Sequence, residues 1–186
     1  HTRFTARTLA EELGVRRDKV HVIAHGPLTL GAAPAPCREA AREALGVADE
    51  TFLLLLFGRI RPYKGLDLLV SALDRIADPD MHLIVAGEDT FGEGRRLLAN
   101  RNDVTADLSR VDDYTTARYF AAADLVVLPY RRIDQSGVLM LALTYRCAVL
   151  ASDIGGLAEV IEDERSGFLL APVDAETLAD RLADLK

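Results

Sequence analysis

Short runs of consecutive apolar residues, separated by amphipathic stretches, constrain the fold of this sequence most strongly. The clearest run extends from Phe52 to Phe57 and has no polar residue. Strands that are apolar at consecutive positions are covered on both faces, which is typical of a parallel sheet. The runs predict strands at Val20–Ala24, Phe52–Phe57, His82–Ala86, Val104–Ala106, Leu125–Leu128, Ala148–Ala151 and Gly167–Leu170.

Helical patterns lie between these runs. In the helix predicted from Leu66 to Arg75, apolar residues recur three or four positions apart, which marks one buried face. The others are predicted at Thr5–Leu13, Arg38–Leu45, Gly94–Asn100, Asp112–Ala123, Val138–Tyr145, Leu157–Ile161 and Ala175–Leu185. The alternation predicts an α/β fold with a Rossmann-like, doubly wound parallel sheet of about six strands and helices on both faces. Residues 26–36, rich in Gly, Ala and Pro, are predicted to form a linker or crossover.

The composition limits the classes of partner. The chain has 186 residues and a formal charge of -7, so we predict one domain spanning 1–186 that binds neither nucleic acid nor anionic membranes broadly. No apolar stretch approaches the roughly 20 residues of a membrane span. The two cysteines, Cys37 and Cys147, lack metal or redox spacing, so we expect free thiols and a cytoplasmic protein.

The loop after the Phe52–Phe57 run carries the first candidate site. Gly58 frees the backbone, and Arg59, Arg61 and Lys64 follow before the next predicted helix. Ligands of open α/β sheets lie outside the carboxyl ends of the strands, so these cations indicate a bound anion such as a phosphate or diphosphate. The alternative is a solvated loop whose charges only maintain solubility.

Two further segments follow predicted strands at the same edge. Gln135, Ser136 and Gly137 fall at a predicted helix start, where free N–H groups and the helix dipole favour an anion; an ordinary Ser N-cap is the alternative. Gly87, in the segment Ala86–Asp89, closes another strand and is predicted to line the same crevice. The D-x-D sequence at Asp78–Asp80 precedes a strand and therefore lies at the opposite edge, so no metal site is predicted there.

Taken together and in order, several segments resemble the carboxyl-terminal, donor-binding domain of retaining GT-B glycosyltransferases of the family-four type. The matching segments are Val22–Gly26, Phe57–Gly65, Leu83–Gly87, Tyr119–Pro129, Ser136–Ala142, Val149–Val160 and Ser166–Leu169. The resemblance covers roughly residues 5 to 185. It implies that the fold is one half of a GT-B enzyme and that a nucleotide-diphosphate sugar binds at the crevice.

The resemblance also implies roles for individual residues. Arg59 and Lys64 match the family's diphosphate-binding pair, and Asp134 is placed to reach sugar hydroxyls. The substrate-binding positions are Gly58, Gly87 and the loop whose backbone amides meet the distal phosphate, Gln135, Ser136, Gly137, Val138 and Leu139. With fixed cations facing the leaving diphosphate, we expect no metal and no other cofactor.

The sequence departs from the family in two respects. The family's pair of glutamates eight positions apart is replaced by Asp134 and Ala142, so either the ribose contact comes from elsewhere, or donor affinity is reduced, or the donor binds in another geometry. The amino-terminal acceptor domain, through which the parent protein could lie at a membrane, is not part of this sequence, so we expect the fragment alone to be inactive. Two alternatives stay open: a non-catalytic sugar-nucleotide-binding or assembly domain, and a nicotinamide-dependent oxidoreductase or epimerase, against which the missing G-x-G-x-x-G counts.

Overall fold

Six parallel strands form a single sheet in the computed structural model, which describes residues 1–26 and 34–186. The strands are β1 (Phe52–Phe57), β2 (Met81–Ala86), β3 (Val104–Asp107), β4 (Leu125–Leu128), β5 (Ala148–Ser152) and β6 (Phe168–Leu170). Their spatial order is β3-β2-β1-β4-β5-β6, and every neighbouring pair is parallel. The chain reverses its direction of travel across the sheet between β1 and β4. The carboxyl ends of these two strands therefore form the switch point at which such sheets bind ligands.

Helices cover both faces of the sheet, as predicted. They are α1 (Arg3–Glu11), α2 (Arg38–Leu45), α3 (Leu66–Ile76), α4 (Glu93–Leu98), α5 (Asp113–Ala122), α6 (Gly137–Thr144) and α7 (Ala175–Leu185). Leu53 and Leu55 of β1 pack into the core cluster that includes residues of α2, α5 and α6, and Leu54 and Leu56 pack into the cluster that includes residues of α3, α4 and α7. All four leucines are fully or almost fully buried, which explains why β1 is apolar at every position.

Two predicted elements are wrong. Val20–Ala24 has no regular secondary structure and pairs with no strand in the part of the chain that the structure describes, and Val22 and Ile23 are exposed. An apolar run becomes a strand only where a neighbouring strand accepts its hydrogen bonds. Leu157–Ile161 forms a series of hydrogen-bonded turns instead of a helix, because five residues close too few successive hydrogen bonds to sustain one. Most of the predicted linker at 26–36 lies outside the described residues.

The amino ends of the central strands are held by a charged network that serves the fold. Arg42 is 1% exposed and donates to the carboxylate of Asp124 and to four backbone carbonyls, including that of Thr51. Asp124 also accepts the N–H of Leu53 at 2.8 Å. All of the N–H groups of the Arg42 guanidinium are engaged, so Arg42 and Asp124 form a structural ion pair. Lys64, the buried cation at the opposite, carboxyl edge of the sheet, has no such counter-ion among the described residues.

Candidate functional site

Gly58 is the point at which three parts of the candidate site converge. It follows β1 with φ +87°, and a Cβ there would lie 2.8 Å from Nζ of Lys64 and 3.2 Å from Cγ2 of Val138. Because Gly58 has no side chain, the Lys64 ammonium and the first turn of α6 can both lie close to its backbone. The structure thus brings together three of the predicted site residues from two separate loops.

Lys64 is a buried cation at the carboxyl end of β1. It ends a short 3-10 helix (Pro62–Lys64), is 6% exposed, and donates a hydrogen bond of 3.0 Å from Nζ to the carbonyl oxygen of Phe57. Burial, and secondarily the positive charge of Arg59, lowers the pKa of Lys64 from 10.5 to about 8. No carboxylate of the described residues lies within 4.0 Å of Nζ. A desolvated ammonium with donors to spare and no counter-ion is suited to an anionic ligand.

The backbone around Lys64 leaves little freedom for its position. Gly65 has φ +71°, and a Cβ there would lie 2.1 Å from the carbonyl oxygen of Pro129, so the loop packs directly on the end of β4. Arg131 joins the same two segments, since its guanidinium binds both carboxylate oxygens of Asp67, at 2.8 and 2.6 Å, and donates to the carbonyl of Pro62. Both partners of this ion pair are 42% exposed, so it contributes to position more than to stability.

The first turn of α6 supplies backbone N–H groups. The hydroxyl of Ser136, the N-cap, accepts the N–H of Leu139 at 3.2 Å. Helix geometry leaves the N–H groups of Gly137 and Val138 without intrahelical acceptors, and the dipole of an eight-residue helix adds positive potential. Leu139 itself is 1% exposed and its amide is taken by the cap, so the amides open to a ligand are those of Gly137 and Val138.

The hydroxyl of Tyr130 is a further polar group at this edge. Tyr130 is 1% exposed, its ring centre is 5.6 Å from Nζ of Lys64, and its hydroxyl has no hydrogen-bond partner among residues 1–26 and 34–186. Burial raises the pKa of Tyr130, so the hydroxyl is neutral and retains its proton. An aromatic face therefore borders the Lys64 ammonium, and no negative charge is introduced there.

Gly87 allows the loops after β1 and β2 to approach closely. Its φ is +142°, and a Cβ there would lie 2.4 Å from the carbonyl oxygen of Gly58. Beside this contact is a cavity of about 380 Å³, lined by Phe57, Gly58, Arg59, Gly87, Glu88, Arg110 and Val111. Arg110 and Val111 were missed by the sequence analysis. They follow β3, and the rule that placed the other loops at the carboxyl edge would have found them.

Asp134 and Gln135 do not line the cavity beside Gly58. Asp134 is exposed. A Cβ added at Gly156 would lie 2.1 Å from the carbonyl oxygen of Asp134, so a glycine is needed where the loop before α6 touches the loop after β5. Gln135 lines a second cavity, of about 440 Å³, together with His25 and Glu159. The carboxylate of Glu159 accepts the N–H groups of Arg3 and Phe4 and so caps the start of α1. Arg59, Gly58 and Gly87 line one cavity, and Gln135 lines the other.

Ala142, which replaces the second glutamate of the family pattern, is a core residue. It is 0% exposed and packs in the same cluster as Phe120 and Val149. A carboxylate at this position would enter an apolar environment as the surrounding side chains now stand. Where the family has a glutamate, this protein therefore has an apolar core that packs against the methyl group of Ala142.

A doubly wound parallel sheet with helices on both faces and a cationic, glycine-lined crevice at its switch point defines a Rossmann-like α/β domain, and this one is half of the GT-B fold. The chain belongs to the family of glycosyl transferases group 1, whose model matches residues 51–186. It is 33% identical over 178 residues to a D-inositol 3-phosphate glycosyltransferase of Jonesia denitrificans, covering 87% of this chain and 42% of that protein. It is 35% identical over 120 residues to a GDP-mannose:glycolipid 4-beta-D-mannosyltransferase of Xanthomonas campestris pv. campestris, covering 62% of this chain and 34% of that protein.

Solved structures agree with this assignment. HepE of Anabaena, solved in complex with UDP and glucose, superposes with a TM-score of 0.82 at 27% identity and covers 98% of this chain. The glycosyltransferase WaaG, involved in lipopolysaccharide biosynthesis, has a TM-score of 0.84 at 24% identity, which supports the fold alone. This chain covers 51% of the HepE chain and 52% of the WaaG chain.

Within 1–26 and 34–186, no helix has both the length and the apolar character to cross a membrane. The same residues contain no group of three or more His, Cys, Asp or Glu side chains arranged to hold a metal ion. The two cysteines are unpaired, as predicted.

Proposed function

We propose that this chain is the donor-binding domain of a retaining glycosyltransferase and that it binds a nucleotide-diphosphate sugar at the carboxyl ends of β1 and β4. The observation that carries the proposal is the Lys64 ammonium, which is buried beside Gly58 and has no carboxylate partner among residues 1–26 and 34–186. The diphosphate would lie over Gly58, between the Lys64 ammonium, the Arg59 guanidinium and the free N–H groups of α6.

These groups suit the chemistry of sugar transfer. When the bond between the anomeric carbon and the diphosphate breaks, negative charge grows on the leaving oxygen and the sugar becomes oxocarbenium-like. Cations and helix N–H groups fixed in a desolvated position stabilise that charge more in the transition state than in the ground state. Asp134 would bind hydroxyl groups of the sugar. Arg59, Lys64 and the start of α6 would stabilise the negative charge on the leaving diphosphate without a metal ion.

The acceptor would bind to another part of the parent protein. This chain covers about half of the WaaG and HepE chains and less than half of the two glycosyltransferases named above. We therefore propose that an amino-terminal domain completes the active site, and that this fragment alone binds donor weakly and transfers no sugar. The alternative, a non-catalytic sugar-nucleotide-binding domain, has the same binding site and differs only in whether the parent protein catalyses transfer.

Isothermal titration with GDP, UDP and NAD tests the binding half of the proposal. We expect a nucleoside diphosphate to bind, and Lys64→Ala to weaken that binding by about 1–3 kcal/mol, the scale of a charge-assisted phosphate contact. Lys19→Ala, which removes an exposed lysine from a different loop, is the control and should leave the affinity unchanged. Equal affinities in the wild type and in Lys64→Ala would contradict the proposal. Binding of NAD alone would favour the oxidoreductase alternative.

A further inference from the structure

The cavity of about 380 Å³ beside Gly58 is lined by one carboxylate side chain, Glu88, and by two arginines, Arg59 and Arg110. On the basis of the proposed function, we propose that it holds the base of the donor nucleotide and that Glu88 and Arg110 select guanine. Gly58 and Arg59 line this cavity and also border the diphosphate position. A nucleoside attached to a diphosphate above Gly58 therefore has this cavity within reach.

The lining provides space and apolar surface for a flat ring. Gly58 and Gly87 contribute no side chains, and their backbones touch, so the cavity is bordered by bare backbone. Phe57 and Val111 are half-buried and supply apolar contacts. The volume lies within the range of roughly 300–1,000 Å³ that is typical of small-ligand sites, which are mostly apolar with a few polar groups that fix orientation.

Two charged side chains of opposite sign line the same cavity without being committed to protein partners. Glu88 and Arg110 are both exposed, and neither side chain forms a hydrogen bond or an ion pair with any residue that the structure describes. The backbone carbonyl of Glu88 accepts the N–H of Ile60 at 3.0 Å, and Arg110 lies three residues after the end of β3. Their charges are therefore free to contact a ligand in the cavity.

Guanine is the base that matches this pair of charges. It presents two adjacent donors, N1–H and the N2 amino group, which a carboxylate accepts together, and two adjacent acceptors, O6 and N7, which a guanidinium binds in a bidentate manner. Uracil offers a single N–H between two carbonyl oxygens, which repel a carboxylate. Adenine presents a donor beside an acceptor on its corresponding edge. Only guanine uses both Glu88 and Arg110 with all hydrogen bonds in the favourable sense.

Titration of GDP, UDP and ADP into the wild type, Glu88→Gln and Arg110→Gln tests this selection. We expect the wild type to bind GDP at least about ten-fold more tightly than UDP or ADP, the factor that one good bidentate contact provides. Glu88→Gln should reduce the GDP-to-UDP affinity ratio several-fold without weakening UDP. Arg110→Gln should weaken GDP most. Glu50→Gln, an exposed carboxylate in the turn before β1, is the control and should preserve the ratio.

The outcomes separate this inference from the proposed function. The base selection would be overturned if GDP, UDP and ADP bound with equal affinity and in a Lys64-dependent manner. It would also be overturned if the GDP-to-UDP affinity ratio were unchanged in Glu88→Gln. Either result would leave the proposed diphosphate site intact. Failure of GDP, UDP and ADP to bind at all would overturn the proposed function, and the base selection with it.

Discussion

The ammonium of Lys64 donates a hydrogen bond of 3.0 Å to the carbonyl oxygen of Phe57, the last residue of β1. A neutral carbonyl is thus the acceptor for a cation that is 6% exposed. Removing an ammonium from water without a compensating negative charge is unfavourable, and the lowered pKa of Lys64 expresses that cost. The arrangement is one in which a bound diphosphate would supply the missing charge.

The affinity for a nucleoside diphosphate should fall at alkaline pH. Lys64 has a pKa of about 8 in the free protein, and a neighbouring diphosphate would raise that pKa, so binding is strongest below about pH 8 and weakens as the free protein loses the proton. We expect a loss of roughly ten-fold between pH 7.5 and 9.5, measured by titration calorimetry. Lys64→Arg, which stays charged throughout, should give a flat profile. A steep decline in that variant would assign the effect to another group.

Lys64 should also reduce the stability of the unliganded protein. Its pKa is depressed on folding, from 10.5 to about 8, so its contribution to stability is most favourable above pH 10.5 and is lost as the pH falls to about 8. Lys64→Met removes the buried charge, and we expect the free energy of unfolding at pH 7 to rise by about 1–3 kcal/mol. Urea denaturation at pH 7 and pH 10 measures this. A Lys64→Met variant that is less stable than the wild type at pH 7 would contradict the burial argument.

Gly58→Ala should weaken nucleoside-diphosphate binding. The new methyl group would lie 2.8 Å from Nζ of Lys64 and 3.2 Å from Val138, so it would displace the ammonium and narrow the space over the loop. The matched control is Gly92→Ala, at a similar positive φ but with no atom within 4 Å of the added Cβ. Both variants should lose about 1–2 kcal/mol of stability through backbone strain. Only Gly58→Ala should lose affinity, and an equal loss in both would show that strain alone is responsible.

Restoring the family's second glutamate should destabilise this protein. Ala142 is 0% exposed in an apolar cluster, so Ala142→Glu buries a carboxylate without a partner. We expect a loss of about 3–5 kcal/mol in the free energy of unfolding, measured by urea denaturation. Leu143→Glu, at the next residue of α6 and 38% exposed, should cost about 1 kcal/mol or less. A stable Ala142→Glu variant with higher donor affinity would show instead that position 142 can turn toward the ligand.

The sequence was sufficient for most of the fold because its signals are local. The 3–4 spacing from Leu66 predicted α3, which ends at Ile76, and the apolar run Phe52–Phe57 coincides with β1. The failures occurred where structure depends on a partner or on length. Val20–Ala24 has the composition of a strand but no neighbouring strand in the described structure, and Leu157–Ile161 is too short to be a helix.

The candidate site was predictable only in part. Gly58 and Gly87 stand directly after buried strands, and Lys64 lies in the loop that begins at Gly58, so the switch-point rule located all three. The short approaches between Gly87 and Gly58 and between Gly65 and Pro129 depend on how separate loops pack, which no single segment reveals. The sequence did not reveal the pairing of Arg131 with Asp67, which joins the loop before α6 to the start of α3, because the two residues are 64 positions apart. The functional roles of Lys64, Arg59, Asp134 and all the other predicted site residues stay predictions.

The most direct test of the central claim is the backbone amide NMR spectrum of this chain during titration with GDP. A diphosphate held over Gly58 by Lys64 and the start of α6 should shift the amide resonances of Gly58, Gly87, Gly137 and Val138. Gly46, at the carboxyl end of α2, has open space around it and should stay unchanged. Shifts confined to residues outside the carboxyl edge of the sheet, or the same shifts at equal GDP concentration in Lys64→Ala, would contradict the account.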